Sequence, residues 1–193
     1  MGAIGGCLMF LVVLAVVAAI WAIWRYNNLV TLKNQVANGW KQIDVQLKRR
    51  HDLIPNLVSA VKGEMQFEQD TLEKVIAARA SAVSARGVAD SAEKENALSQ
   101  TLGRLFALAE NYPNLKSNEA VKSLMEELSS TENKIGFARQ FYNDIATRFN
   151  IAQQVFPDSF IAKTFNFQPV ELFEIKDAAE REVPKVDLNL RPQ

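Results

Sequence analysis

The first charged side chain in this chain is Arg25, and positions 2–24 hold only apolar residues and glycine. A helix crossing the hydrocarbon core of a bilayer needs about 20 apolar residues in a row. The run therefore predicts a lipid bilayer as partner for residues 2–24 and a transmembrane anchor over residues 1–25. Its core extends from Cys7 to Ile20. Trp21, Trp24, Arg25 and Tyr26 close it, and residues with one apolar and one wet end favour the headgroup layer. A cleaved signal peptide would have a basic start and small residues at its end, whereas the only early charge is the α-amine and bulky Trp21 and Trp24 stand at the end. Ile4-Gly5-Gly6-Cys7 looks like a lipoprotein box, but it precedes the apolar core instead of following it. Myristoylation at Gly2 would want Ser or Thr at position 6, where Gly6 stands. A retained anchor is the expectation.

Arg25, Lys33 and Lys41 precede the first acid, Asp44, and the other flank has no Lys or Arg. The positive-inside rule then puts the downstream domain in the cytoplasm and the short N-terminus outside. Gly2-x-x-x-Gly6 and Ala18-x-x-x-Ala22 have the spacing that packs membrane helices together, and the same residues are also ordinary filler in such helices.

The roughly 170 residues after the anchor suit one domain. They carry all 22 basic and all 22 acidic side chains. With no basic field to attract it, nucleic acid is set aside as a partner. One cysteine, inside the apolar run, excludes an intrachain disulfide and a cysteine metal cluster.

Val30, Leu32, Val36, Trp40, Ile43 and Leu47 form one stripe of an amphipathic helix that can run on from the anchor as a rod. His51-Asp52-Leu53-Ile54-Pro55 interrupts it. Either Asp52 caps a new helix with Pro55 in its first turn, or Pro55 only kinks the helix and the reversal falls at Gly63. A second stripe runs from Leu57 to Val83. Arg86-Gly87, then Asp90 three residues before Glu93, mark a stop and a new start. Leu98, Leu102, Leu105, Phe106 and Ala109 make a third stripe, Asn111-Tyr112-Pro113-Asn114 a turn, and Val121 to Phe149 a fourth. Four long stripes with short connections predict an all-α chain, with an up-and-down antiparallel four-helix bundle over residues 26–175. Six of the eleven phenylalanines fall at Phe149, Phe156, Phe160, Phe165, Phe167 and Phe173. They make an interaction surface or close the end of a core, the commoner role. Residues 176–193, charged and proline-containing, are expected to be loosely ordered.

Tyr26-Asn27, Trp40-x-x-Ile43-Asp44, Arg50-x-Asp52-Leu53-Ile54-Pro55-Asn56-Leu57-Val58, Phe141-Tyr142-Asn143, Phe149-Asn150, Phe156-Pro157 and the stretch from Ile161 to Glu174 resemble the LemA family. The block from Asp52 to Val58 is the most specific. Asn166 stands where glycine is expected in relatives, a mild departure because asparagine tolerates a left-handed turn. The resemblance implies a bacterial inner-membrane protein with one span, its N-terminus outside, and an antiparallel helical bundle. It implies no reaction and no cofactor. Some members are associated with membrane metalloproteases or cell-envelope stress, which makes a regulatory subunit of such a system the alternative role.

The candidate chemistry is thin. His51 is the sole histidine, and a hydrolytic site would need a nucleophile and an orienting acid around it. Its nearest polar constellation is Asp44, Arg50 and Asp52, and a solvated or capping histidine is expected instead. Bundle metal sites use repeated Glu-x-x-His pairs, whereas Lys48 stands three residues before His51. No glycine-rich phosphate loop or nucleophile elbow is present. No catalytic, cofactor-binding or metal-ligating residue is assigned. Lys48-Arg49-Arg50 would lie about 35 Å beyond the membrane on a continuous helix, too far for its own headgroups at a Debye length of about 8 Å. A solvated face paired with Asp44 and Asp52 is expected. Asn27, Asn28, Asn34, Asn38, Asn143 and Asn150 lie near the stripes and, if buried, would bond to one another and fix register. These features predict a membrane-tethered scaffold or adaptor without catalysis of its own, forming homo-oligomers or presenting a surface to another membrane protein.

Overall fold

The computed structural model describes residues 2–63, 65 and 68–174. The expected tail at 176–193 lies outside the described residues. The chain is helical, with no strand among the described residues: α1 Gly2–Val61, α2 Gln69–Val83, α3 Gly87–Ala109, α4 Pro113–Ser117, α5 Glu119–Ala152 and α6 Asp158–Thr164. The first, third and fourth expected stripes fall in α1, α3 and α5, the second is divided between the end of α1 (Leu57, Val58, Val61) and α2, and α4 and α6 are short additions.

Helix α1 is a single 60-residue element, about 90 Å long at 1.5 Å per residue. The expected interruption at His51–Pro55 does not occur, and the chain turns at Lys62 and Gly63. The sequence reason is visible once Arg50 is counted with the apolar positions. Ile43, Leu47, Arg50, Ile54, Leu57, Val58 and Val61 are all buried, and they keep spacings of three and four straight across Pro55. Proline lacks the N–H that would reach the His51 carbonyl one turn back. Arg79 of α2 fills that vacancy, donating from Nε to the His51 oxygen at 2.6 Å. Asp52 stays exposed within the helix and caps nothing.

The α2–α3 turn falls where Arg86-Gly87 places it. Gly87 takes φ +82°, a conformation glycine adopts without a Cβ penalty. Helix α3 begins at this glycine, one turn earlier than expected. Asp90 caps it from inside, accepting the Arg86 backbone N–H at 2.7 Å. That bond, joined by Lys94, holds the Asp90 carboxyl below its ordinary range. Pro113 opens α4 at a position where no N–H is needed. Asn118 caps α5 with Oδ1, which accepts from the N–H groups of Ala120 and Val121 at 3.0 and 3.3 Å.

Helix α5 returns antiparallel along α1. Arg49 meets Glu127 at the far end, and Arg25 meets Asp158 at 3.3 Å just past the end of α5. A Cβ on Gly39 would stand 3.5 Å from the Tyr142 Cα, so the two backbones approach closely there. Three apolar clusters follow one another along the rod. The farthest, from Ile54 to Leu128, is shared by α1, α2, α3 and α5. The middle one includes Ile43, Ile135, Tyr142 and Phe149. The one nearest the apolar run joins Leu29 to Ile161 and Ala162 of α6.

After α6 the chain reverses at Asn166, whose φ of +53° is the left-handed turn that asparagine tolerates. It then lies against α5. Asn143 donates to the Phe173 carbonyl at 3.1 Å and accepts the Phe173 N–H at 2.8 Å. Asn150 does the same for Val170 at 2.8 and 2.9 Å. Tyr142 Oη donates to the Glu171 carbonyl at 2.7 Å. The asparagines therefore grip backbone and not one another, and Asn27, Asn28, Asn34 and Asn38 are exposed. A segment without a ladder of its own needs side-chain partners for its peptide groups, which is why α5 supplies amides at this spacing. The phenylalanines divide. Phe149 and Phe173 are buried and Phe167 is half-buried, while Phe156, Phe160 and Phe165 are exposed.

Candidate functional site

The polar centre of the molecule is built on Arg50, which sits at a core position of α1 with only 1% of its surface exposed. An uncompensated guanidinium there would be strongly disfavoured. Two carboxylates compensate it. Glu95 of α3, equally buried, and Glu132 of α5 both pair with Arg50. Ser99 Oγ accepts from Arg50 at 2.8 Å and donates to Glu132 at 3.0 Å. Burial lowers the Arg50 pKa and the Glu132 charge works against that shift. One cation thus ties α1, α3 and α5 together in the interior.

His51 is the second ligand of Glu95, its Nε2 lying 2.7 Å from the carboxylate. Burial, with Arg50 and Arg79 close by, pushes its pKa down to about 4. The Glu95 charge is already engaged by Arg50, so it does little to hold a proton on the ring. The imidazole is neutral near pH 7 and donates from Nε2 to Glu95. This corrects the expectation of a solvated or capping histidine. It also corrects the solvated basic face: Arg50 turns inward and Arg49 pairs with Glu127, so neither takes Asp44 or Asp52 as partner.

His51, Asp44 and Asp52 do share one place. They line a cleft of about 360 Å³ with Trp40, Lys48 and Arg79. Nucleophilic catalysis through His51 would require a hydroxyl or thiol on one side of the ring and an acid on the other. The ring has the acid, and its hydrogen-bond contact among the described residues is with Glu95 alone. Ser99 is bound by Arg50 and Glu132, and Ser91, the buried hydroxyl residue lining the cleft, has no hydrogen bond to the ring. No group of three or more His, Cys, Asp or Glu among the described residues is placed to hold a metal ion. The arrangement joins helices through Arg50, whose two terminal nitrogens are paired while its buried Nε has no hydrogen-bond partner.

Glu95, Ser99, Glu132 and Arg79 escaped the sequence reading. The available signal was register. Ala92, Glu95, Leu98, Leu102 and Leu105 keep spacings of three and four along α3, so Glu95 occupies an apolar slot just as Arg50 does in α1. Two opposite charges in core slots of different helices predict a buried pair. Which slots meet depends on the α1–α2 reversal, which the sequence left open between Pro55 and Gly63.

Among the described residues one helix is long and apolar enough to cross a membrane, and it runs without a break into a helical body around an interior charge network, the pattern of a membrane-associated helical protein. The chain belongs to the LemA family, whose model matches residues 39–188. That match begins inside α1, beyond the apolar run and beyond Tyr26-Asn27. Among curated relatives, Protein LemA of Metamycoplasma hominis is 26% identical over 184 residues, covering 94% of this chain and 81% of the relative. Magnetosome protein MamQ 2 of Paramagnetospirillum magneticum is 27% identical over 182 residues, covering 81% of this chain and 67% of the relative. Magnetosome protein MamQ of Magnetospirillum gryphiswaldense is 25% identical over 196 residues, covering 87% and 72%. None of these names is that of an enzyme.

Proposed function

We propose that this LemA-family protein is a single-pass membrane scaffold that assembles with copies of itself along the outer face of the α1–α5 pair. The observation that carries this reading is a shallow groove of about 540 Å³ between these helices, lined by Val45, Phe137 and Phe141 with Lys41 and Lys134 at its edges. Phe137 is 74% exposed. Clustered exposed apolar side chains with a polar rim mark interaction surfaces. A span at one end confines all copies to one plane with their rods side by side, so identical faces meet and symmetric closure follows naturally. The interior charge network, in which one cation joins three helices, supports a structural role over a chemical one. Arg25, Lys33 and Lys41 support a cytoplasmic body with the N-terminus outside, in a bacterial inner membrane.

The test is the mass of the detergent-solubilised full chain by light scattering, with the detergent subtracted. A discrete multiple of 21.6 kDa that falls to one chain on Phe137→Glu supports the scaffold. A monomer at every concentration overturns self-assembly and leaves an adaptor, such as a regulatory subunit of a membrane protease, as the reading. Protease protection in sealed vesicles tests the orientation.

A further inference from the structure

The end of the body next to the apolar run carries three exposed phenylalanines that the core does not use. Phe156 is 83% exposed, Phe160 70% and Phe165 56%. Ile151 and Val155, at the end of α5, are also exposed. Such a display on a surface facing water is disfavoured, and this one lies at the end of the body next to the apolar run, apart from Phe137 and Phe141.

Its height is fixed by contacts with α1. Asp158 pairs with Arg25 at 3.3 Å. Ala22, Tyr26 and Leu29 pack with Ile161 and Ala162. The rings of Tyr26 and Phe165 are 4.6 Å apart. Helix α6 therefore stands beside residues 22–29. The guanidinium of Arg25 also lies over the rings of Trp21 and Trp24, at 5.8 and 4.9 Å. The apolar stretch from 2 to 24 is about 34 Å long as a helix, slightly more than the roughly 30 Å hydrocarbon core. Trp21 and Trp24 then fall at the boundary between acyl chains and headgroups, and α6 falls within about one turn of them.

We infer that α6 and its flanks form a second membrane contact, in which Phe156, Phe160 and Phe165 sit in the headgroup boundary of the bilayer that holds the span. The occupant of this surface is lipid and not another protein, because the Phe165 ring packs on Tyr26 at 4.6 Å and α6 lies beside residues 22–29, which sets the surface next to the end of the apolar run. The Arg25–Asp158 pair sets its depth, and Ile161 and Ala162 keep the phenylalanines turned outward by anchoring the opposite face of α6. Apolar side chains on an interfacial helix bury about 5–10 Å into this layer. The inference rests on the span being in the bilayer and is independent of which side the body occupies.

The test uses the full chain with Cys7→Ser, reconstituted in phosphatidylcholine–phosphatidylglycerol vesicles. An environment-sensitive fluorophore is attached at Lys163→Cys, which keeps all three phenylalanines, or at Val83→Cys, an exposed site at the end of α2, level with Trp40 to Lys48 of α1 and well away from the apolar run. Nitroxide on the upper acyl chain reports lipid contact and aqueous iodide reports water. The expected result is lipid quenching at position 163 at least threefold stronger than at 83, with iodide quenching reduced about threefold. Adding Phe156→Asp and Phe160→Asp should return position 163 to the values at 83. Equal quenching at the two sites overturns the inference. So does protection from iodide without lipid quenching, since a protein then covers the surface. Flotation with the vesicles checks the span separately: a chain that does not float fails as an anchored protein, while a floating chain with a water-exposed position 163 refutes only the second contact.

Discussion

Removing the Glu95 carboxylate is the sharpest perturbation of this molecule. Arg50 and Glu95 are each 1% exposed, while the Glu132 side chain is 42% exposed. In Glu95→Ala the guanidinium keeps Ser99 and a half-exposed carboxylate but loses its fully buried counter-charge. The Nε2–H of His51 loses its acceptor in the same step. Breaking a buried pair by deleting one partner costs about 3–5 kcal/mol, because the remaining charge is left uncompensated. Stranding a buried donor adds about 1–3 kcal/mol where no water reaches it. We expect Glu95→Ala to lower stability by about 4 kcal/mol. Arg50→Met with Glu95→Leu should recover most of that loss, since an apolar replacement of similar volume leaves no buried charge. Arg49→Ala, which breaks an exposed pair with Glu127, should cost less than about 1 kcal/mol. Urea unfolding of the detergent-solubilised chain, followed by circular dichroism, gives the wild-type value and the three differences, and adding the single variants Arg50→Met and Glu95→Leu gives the coupling between the two residues. A Glu95→Ala variant within 1 kcal/mol of the wild type would refute the claim that the interior is organised around this charge.

Three further outcomes follow from contacts described above. His51 has a folded pKa of about 4 against about 6.5 in an unfolded chain, so the unfolded state binds the extra proton. Stability from this site is complete above about pH 6.5 and is lost as pH falls towards 4; denaturation midpoints across that window should fall in the wild type and flatten in His51→Phe. Arg79→Met leaves the His51 carbonyl without its donor and should cost about 1–3 kcal/mol, whereas the double variant Arg79→Met/Pro55→Ala should be less affected, since alanine restores the helical N–H. Asn143→Leu removes both bonds to Phe173 and should release the segment at 170–173, seen as faster deuterium exchange at Val170 to Phe173 with α1 unchanged; unaltered exchange there would contradict the clamp.

The apolar run, the helical stripes and the turns at Arg86-Gly87 and Asn111–Asn114 were legible because each has a local cause: apolar length, periodicity, a positive φ or a proline at a helix start. Pro55 misled because its penalty is local while its remedy, Arg79, is 24 residues away in sequence. Arg50 and Glu95 misled in the opposite sense. Charged residues are usually read as solvated, and only the tertiary pairing shows that both occupy apolar register. The asparagines were correctly singled out near the stripes. Their partner is the backbone of a segment with no periodicity of its own, so nothing in its sequence advertised the contact. The phenylalanines divided because only Phe149, Phe167 and Phe173 lie where α1 and α5 can enclose them.

Because α1 has no joint between the apolar run and the body, it behaves as a lever with its fulcrum in the bilayer. The arm from Trp24 to Val61 is about 55 Å. Spans commonly tilt by about 20°, and such a tilt swings the far end sideways by about 19 Å. Hydrophobic thickness sets the tilt of a long span, so the lipid beneath this protein decides where its outermost surfaces stand relative to neighbours. Bilayer thickness then becomes a geometrical input to where the far end of the body stands, transmitted through a helix that Arg79 keeps unbroken at Pro55.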